Sequence, residues 1–247
     1  MSIKTWMEKL RKATYKRGFV CDCCKAELFD YPHTRVCKSC EDTFFRNTLH
    51  TCTVCGRYTE TDGVCLVCKE HSPTFIGISP FVYLGDTAGT LNRIKNGNRR
   101  LSCYYAQQMV NAFANAYGIL QEVVFLPIPM TKEKLRLRGY NQAQDLAEAV
   151  EEEWKNAGGT ATLYTDVLIK TRETEAQKHL SLRAREQNLQ GVFHLTKRAL
   201  LKGKTVILID DIMTTGATGD VCAELCKGAG AKEVYFLCVA SVPEKQP

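Results

Sequence analysis

Apolar residues are thin along the first part of the chain and turn periodic only after the Ser72-Pro73 and Ser79-Pro80 pairs. Residues 1–20 carry a helical pattern in a basic segment, with Trp6 and Leu10 placed to pack on a neighbour. Residues 21–72 are rich in Cys, Thr, Lys and Glu and poor in aliphatics. The change of texture puts a boundary near residue 75, giving a 1–75 module and a 76–247 domain. In the second part, residues 87–118 read as helix in two pieces, broken at Asn96-Gly97-Asn98. Val123 to Ile128 is a short apolar strand. Residues 141–155 place Ala143, Leu146, Ala147 and Val150 on one helix face, and Gly158-Gly159 ends that helix. A second strand is expected from Leu163 to Ile169, and residues 170–190 follow with neither period. Lys204 to Asp211 is a continuous apolar strand ending in two carboxylates; residues 218–229 are helical, and Glu233 to Val239 is the last strand. Strands that are apolar on both faces, alternating with helices, predict a parallel sheet covered on both sides.

Composition changes this picture at one point. The net charge of +6 suits an anionic ligand without singling one out. No run of about 18 apolar residues is present, and the amino-terminal segment lacks the apolar core of a secretory signal. A cytoplasmic protein is expected, reaching the inner face of a membrane only through partners. Cysteine is the outlier: 13 are present, nine of them between Cys21 and Cys68. They fall into two sets of paired C-x-x-C motifs: Cys21, Cys24, Cys37 and Cys40, then Cys52, Cys55, Cys65 and Cys68. That is zinc-ribbon spacing. Each structural Zn²⁺ would supply folding energy that an aliphatic-poor segment lacks. The pairs could also interleave across the two sets, and Cys23 could replace a neighbour. His33, His50 and His71 read as surface residues, and Cys103, Cys222, Cys226 and Cys238 as small buried apolar groups.

The chemistry concentrates where the longest apolar strand ends. Asp210 and Asp211 arrive together at the carboxyl edge of the sheet, where open α/β sheets bind ligands. Thr214, Thr215, Gly216, Ala217 and Thr218 follow and open a helix. Backbone N–H groups, threonine hydroxyls and the helix N-terminus form a cradle for a phosphate dianion. The adjacent carboxylates can grip vicinal sugar hydroxyls, or Mg²⁺ bound with them. Asp and Thr also cap helices; paired carboxylates ahead of T-T-G-x-T exceed what a cap needs. The parts together describe a site for a sugar 5-phosphate.

Two further groups surround it. After Leu126 the chain makes a Pro-x-Pro turn to Pro129, then runs through Lys132, Lys134, Arg136, Arg138 and Gly139 into a helix that Asn141 can cap, followed by Gln142. Guanidinium forks suit a pyrophosphate. The polar stretch with Arg172, Gln177 and Arg185 fits a lid that keeps water from a reactive ribosyl centre.

These groups, in this order behind a cysteine module, resemble the ComF family over residues 20–240. The P-I-P … R-x-R-G-Y-N-Q and R-x-T-x-x-Q-x-x-L patterns carry the resemblance, and the D-D-x-x-T-T-G-x-T run is similar to the fingerprint of type I phosphoribosyltransferases. The resemblance implies a type I phosphoribosyltransferase-like parallel sheet flanked by helices, preceded by the zinc-ribbon module. It implies that Asp210 and Asp211 hold the ribose hydroxyls of PRPP, that residues 214–218 hold its 5-phosphate, and that Mg²⁺ accompanies it. Family members are linked to DNA uptake, so single-stranded DNA and competence machinery are the implied partners. The basic arm (Lys9, Arg11, Lys12, Lys16, Arg17) and the Arg93, Lys95, Arg99, Arg100 cluster are the candidate DNA-phosphate contacts. The implied alternative is an active transferase of nucleotide metabolism with an unassigned acceptor. Thr214 stands where purine-salvage relatives carry Asp, and no catalytic base is assigned.

Overall fold

In the computed structural model, residues 20–30, 34–48, 50–173, 189 and 191–244 are described. The basic arm within residues 1–19, together with His33, Gln177 and Arg185, lies outside them. Two short helices, α1 (Lys38–Glu41) and α2 (Leu66–Glu70), belong to the cysteine-rich part. Strands β1 (Ile76–Ile78) and β2 (Phe81–Val82) follow, bent at Ser79-Pro80. Helices α3 (Gly85–Lys95) and α4 (Leu101–Tyr117) come next, interrupted around Asn96 to Asn98 as their residues suggest. Then come β3 (Val123–Pro127), α5 (Lys132–Arg138), α6 (Gln142–Asn156), β4 (Ala161–Leu163), β5 (Leu168–Lys170) and β6 (Phe193–Leu195). A 3-10 turn at Arg198–Leu201, β7 (Thr205–Met213), α7 (Ala217–Gly228) and β8 (Glu233–Ser241) complete the order.

The main sheet runs β1-β8-β7-β3-β4, with β2 continuing the edge beside β8, and every pairing is parallel. Strands β3 and β8 are buried almost throughout, and β7 is buried from Val206 to Ile209, as expected for strands covered on both faces. One face packs α4 and α6 through Tyr105, Met109, Phe113, Leu146, Val150 and Trp154. Trp154 stacks edge-on against Phe113 and Phe125. The other face receives α7 through Cys222, Ala223 and Cys226. Among the described residues no helix is long and apolar enough to cross a membrane.

The expected strand from Leu163 to Ile169 is two strands. Its start pairs with β3 as β4, whereas its end pairs antiparallel with β6 in a separate two-stranded ribbon. The chain turns at Thr165-Asp166, where the Asp166 carbonyl accepts from the Thr196 hydroxyl. Cys103 is half-buried, unlike the fully buried Cys222, Cys226 and Cys238.

The cysteine-rich part shares its interior with the sheet. Cys21, Val36 and Phe44 join one apolar cluster, and Cys52, Cys55, Cys65 and Cys68 join the other. Gly56 and Gly77 pack backbone against backbone: a Cβ on Gly77 would lie 2.1 Å from the Cys55 carbonyl oxygen, and one on Gly56 would lie 2.4 Å from the Gly77 oxygen. The Gly77 N–H donates to the Val54 carbonyl at 2.8 Å, so the outer margin of β1 is covered. Buried Asn47 fastens the same corner, donating from Nδ2 to the carbonyls of Gly56 and Ser79.

Candidate functional site

β7 outruns its neighbour. Its pairing with β3 ends at Pro127↔Ile209, because the Pro-x-Pro turn carries β3 away, while pairing with β8 continues to Met213↔Ser241. Asp210 and Asp211 therefore stand at the carboxyl edge with strand support on one side only. The Asp211 N–H donates to the Asp210 Oδ1 at 2.8 Å, which folds the Asp210 carboxylate back toward its neighbour. Burial, and then the adjacent Asp211 carboxylate, push the Asp210 carboxyl well above the ordinary carboxylate range. Asp211 is 5% exposed.

A cation meets this pair. The Lys95 Nζ lies 3.1 Å from the Asp211 Oδ2. Lys95 is the last residue of α3, and the end of α3 is held by the Tyr140 hydroxyl, which donates to the Ile94 carbonyl. Tyr140 also lies under the Arg99 guanidinium, which forms a two-point bond with Asp145. The Gly139-Tyr140-Asn141 segment thus fixes where Lys95 enters. In the sequence Lys95 belongs only to a basic cluster with Arg93, Arg99 and Arg100, and nothing local to it announces a partner 116 residues away.

The loop after β7 has the expected shape. Gly216 adopts φ 89°, a left-handed conformation that favours glycine, and begins α7 without a side-chain cap. The first-turn N–H groups of α7 thus face the loop, as an anion site requires. Thr214 is exposed, Thr215, Gly216 and Thr218 are half-buried, and Ala217 is buried. The Thr215 hydroxyl accepts from the Ala217 N–H at 3.4 Å.

The basic stretch expected to meet a pyrophosphate is itself a helix, α5, capped by the Thr131 hydroxyl. Asn141 caps α6 as expected, and its Nδ2 donates to the Ile128 carbonyl at 3.1 Å. Pro129, Asn141 and Arg172 line one cleft of about 740 Å³ between α5 and the β5-β6 ribbon, together with Lys132 and Lys170. Glu173 closes it by accepting from Thr131 and pairing with Lys170 at 3.5 Å. Burial alone would raise the Glu173 carboxyl, but the Thr131 hydroxyl and the Lys170 and Lys134 charges hold it below the usual range. Arg138 is turned onto the Gln142 Oε1 at 2.6 Å, Arg136 is exposed, and Gly139 ends α5 in a left-handed turn.

The cysteines assemble in sequence order. The ligand atoms of Cys21, Cys24, Cys37 and Cys40 lie within 4.8 Å of one another, as do those of Cys52, Cys55, Cys65 and Cys68. The pairs therefore do not interleave; Cys23 is outside the four, its carbonyl accepting from Arg93 at 3.1 Å, while its thiol lies beside that of Cys40. The sulfur separations of 3.6 Å for Cys24–Cys37 and 3.8 Å for Cys55–Cys65 exceed any disulfide. They match the edge of a tetrahedron with metal–sulfur bonds of about 2.3 Å, whose sulfurs lie about 3.8 Å apart. Backbone N–H groups of Cys23, Cys24 and Cys37 converge on the Cys21 sulfur, and that of Cys65 donates to the Cys52 sulfur. Hydrogen bonds from Cys55 and Cys68 hold the Cys65 thiol far below its ordinary value, and the same contacts push the Cys55 and Cys68 thiols up, so with no metal one negative charge is shared within the set. Both sets thus fit a thiolate-bound metal.

The four cations of the candidate DNA cluster each have an internal partner, while Arg93, Arg99 and Arg100 stay exposed. Arg93 binds Cys23, Lys95 pairs with Asp211, Arg99 with Asp145, and Arg100 with fully buried Asp22 at 3.0 Å.

Comparison with known proteins agrees with this geometry. A phosphoribosyl transferase domain model matches residues 138–247. Competence protein ComFC of Bacillus subtilis (strain 168) is 28% identical over 220 residues, covering 85% of this chain and 86% of that protein. Competence protein ComFC of Streptococcus pneumoniae is 29% identical over 203 residues, with coverage of 81% and 84%. The DNA utilization protein YhgH of Escherichia coli (strain K12) is 31% identical over 113 residues, 45% of this chain and 47% of that protein.

Proposed function

Because the chain is a ComFC-like protein with a phosphoribosyltransferase-type domain, we propose that it binds PRPP and acts in DNA uptake or related DNA metabolism. The observation that carries the PRPP reading is the juxtaposition on β7: a carboxylate pair, then a left-handed glycine and an uncapped helix start. In this reading Asp210 and Asp211 accept hydrogen bonds from the ribose 2′- and 3′-hydroxyls. Residues Thr214 to Thr218 donate to the 5-phosphate. The cleft lined by Pro129, Asn141 and Arg172 takes the pyrophosphate with help from Arg136, Arg138, Gly139 and Gln142, and Gln177 and Arg185 belong to the lid. Mg²⁺ arrives with PRPP and neutralises pyrophosphate charge. Lys95 places a counter-charge beside Asp211 before the sugar enters. The two cysteine sets hold structural Zn²⁺, with four thiolates closing each ion to water. In this reading the protein works in the cytoplasm with single-stranded DNA and competence machinery; the names of its relatives support a link to competence and DNA.

A second reading is favoured by the size of the 740 Å³ cleft, which exceeds what a pyrophosphate needs. There, phosphoribosyl transfer to an acceptor releases pyrophosphate, and the chain serves nucleotide metabolism.

Calorimetric titration of PRPP with Mg²⁺ tests the shared premise. Binding that disappears in Asp210→Ala/Asp211→Ala supports it; no binding to the intact protein overturns it. Pyrophosphate release with nucleobase or DNA acceptors separates the two readings. Single-stranded DNA affinity at two salt concentrations tests the DNA role, with a steep loss at high salt expected.

A further inference from the structure

The second cysteine set and the phosphate loop are built into one another. Arg57 follows Cys55 by two residues in the knuckle, is 5% exposed, and donates from Nη2 to the Thr214 carbonyl at 2.5 Å. The Arg57 carbonyl in turn accepts from the Cys52 N–H at 2.8 Å, so the same residue closes the metal knuckle and holds the loop. Just past Cys68, His71 Nε2 lies 2.7 Å from the Asp220 Oδ2, and the Thr74 N–H donates to the Asp220 Oδ1 at 2.6 Å. Asp220 sits in the first turn of α7 and is buried. Phe75 packs against Phe236, and its ring underlies Gly216. Between the two sites lies only a cavity of about 20 Å³, walled by Cys55 and Cys68 on one side and Thr215 to Ala217 on the other.

We propose that the Cys52/Cys55/Cys65/Cys68 centre sets the affinity of the phosphate loop for its ligand, with Arg57 as the positioning residue and Asp220 as a second latch. This rests on the phosphosugar reading of the loop. A knuckle closed around its metal holds the Arg57 backbone, and Arg57 holds the Thr214 carbonyl turned away from the incoming phosphate. Its neighbours' N–H groups then stay aimed at the ligand. Loss of the metal, by chelation or thiol oxidation, releases this hold without touching Asp210 or Asp211. The Cys21/Cys24/Cys37/Cys40 centre makes its contacts to Arg93 and Asn98 instead, so it has no such effect.

The test uses the full chain and two readouts. Hydrogen exchange is followed in peptides covering residues 212–220 for the intact protein, Cys65→Ser and Cys24→Ser, with zinc content measured for each. Ribose 5-phosphate and PRPP binding are measured for the same proteins and for Arg57→Met and Arg57→Lys. The expected result is loop exchange at least about tenfold faster, and binding about tenfold weaker, in Cys65→Ser, with Cys24→Ser within about twofold of the intact protein. Arg57→Met keeps both metals and the slow exchange of β3 and β7 but binds about tenfold more weakly. Arg57→Lys, which retains a donor for the Thr214 carbonyl, recovers part of that loss. The proposal is overturned if Cys65→Ser loses its metal while loop exchange stays unchanged, if exchange rises equally across the whole sheet, or if Arg57→Met binds like the intact protein. If the intact protein binds no phosphosugar, the functional reading fails on its own, and the exchange experiment still decides the coupling.

Discussion

At the scale of single residues, the site is a contest between one lysine and two carboxyls. Asp210 is half-buried, its carboxyl desolvated beside a like charge, so its folded pKa lies above the unfolded one. The folded state then holds more protons than the unfolded state between those two values, and stability falls as pH rises through that window. Asp210→Asn removes the penalty: its urea midpoint at pH 7.5 should rise, by about 1 kcal/mol of stability, while PRPP binding is lost. The gain should vanish near pH 3, below the ordinary carboxylate range. Lys95→Met does the reverse, leaving a nearly buried Asp211 carboxylate without its cation. A loss of about 1–3 kcal/mol in urea unfolding is expected, with weaker PRPP binding. The carboxylates and the Thr/Gly loop were legible because they are adjacent in the chain. Lys95 was not, since its place depends on Tyr140 gripping the end of a different helix.

At the scale of elements, the sheet's strands and their flanking helices could be read from apolar runs, whereas partners far apart in sequence could not. Leu163 to Ile169 looked continuous because composition does not reveal that its two ends pair with different strands. The C-x-x-C pairs gave each metal set, and only the fold excluded interleaving. The four cations around residue 97 have internal partners for a related reason not visible in the sequence: charge is legible there, but the buried carboxylates that meet Lys95, Arg99 and Arg100 are not. Arg100→Gln should therefore cost about 2 kcal/mol in thermal or chemical unfolding, by stranding Asp22 with the more distant Arg35. Single-stranded DNA affinity at matched salt should stay within about twofold. The Gly56–Gly77 contact makes a sharper demand. Gly77→Ala pushes a methyl into the Cys55 carbonyl, and a loss of about 3 kcal/mol is expected, read as a lower melting temperature.

At the scale of the whole molecule, the two cysteine centres serve different neighbours. One is tied through Asp22 and Arg93 to the helical layer, the other to the loop of residues 214–218. Two zinc ions per chain are expected by elemental analysis, and stripping both should lower the melting temperature by about 10 °C or more. The covered margin of β1 has a consequence for anyone seeking a shorter chain that keeps the sheet. Phe45, Val54 and their neighbours occupy hydrogen-bonding positions that the end strand would otherwise offer to any passing backbone. A polypeptide begun at residue 76 would bare that ribbon of amides and carbonyls, and the readiest substitute is the same ribbon on another molecule. Such a fragment should be recovered as paired or precipitated material, so the cysteine-rich segment also works as a shield against self-association.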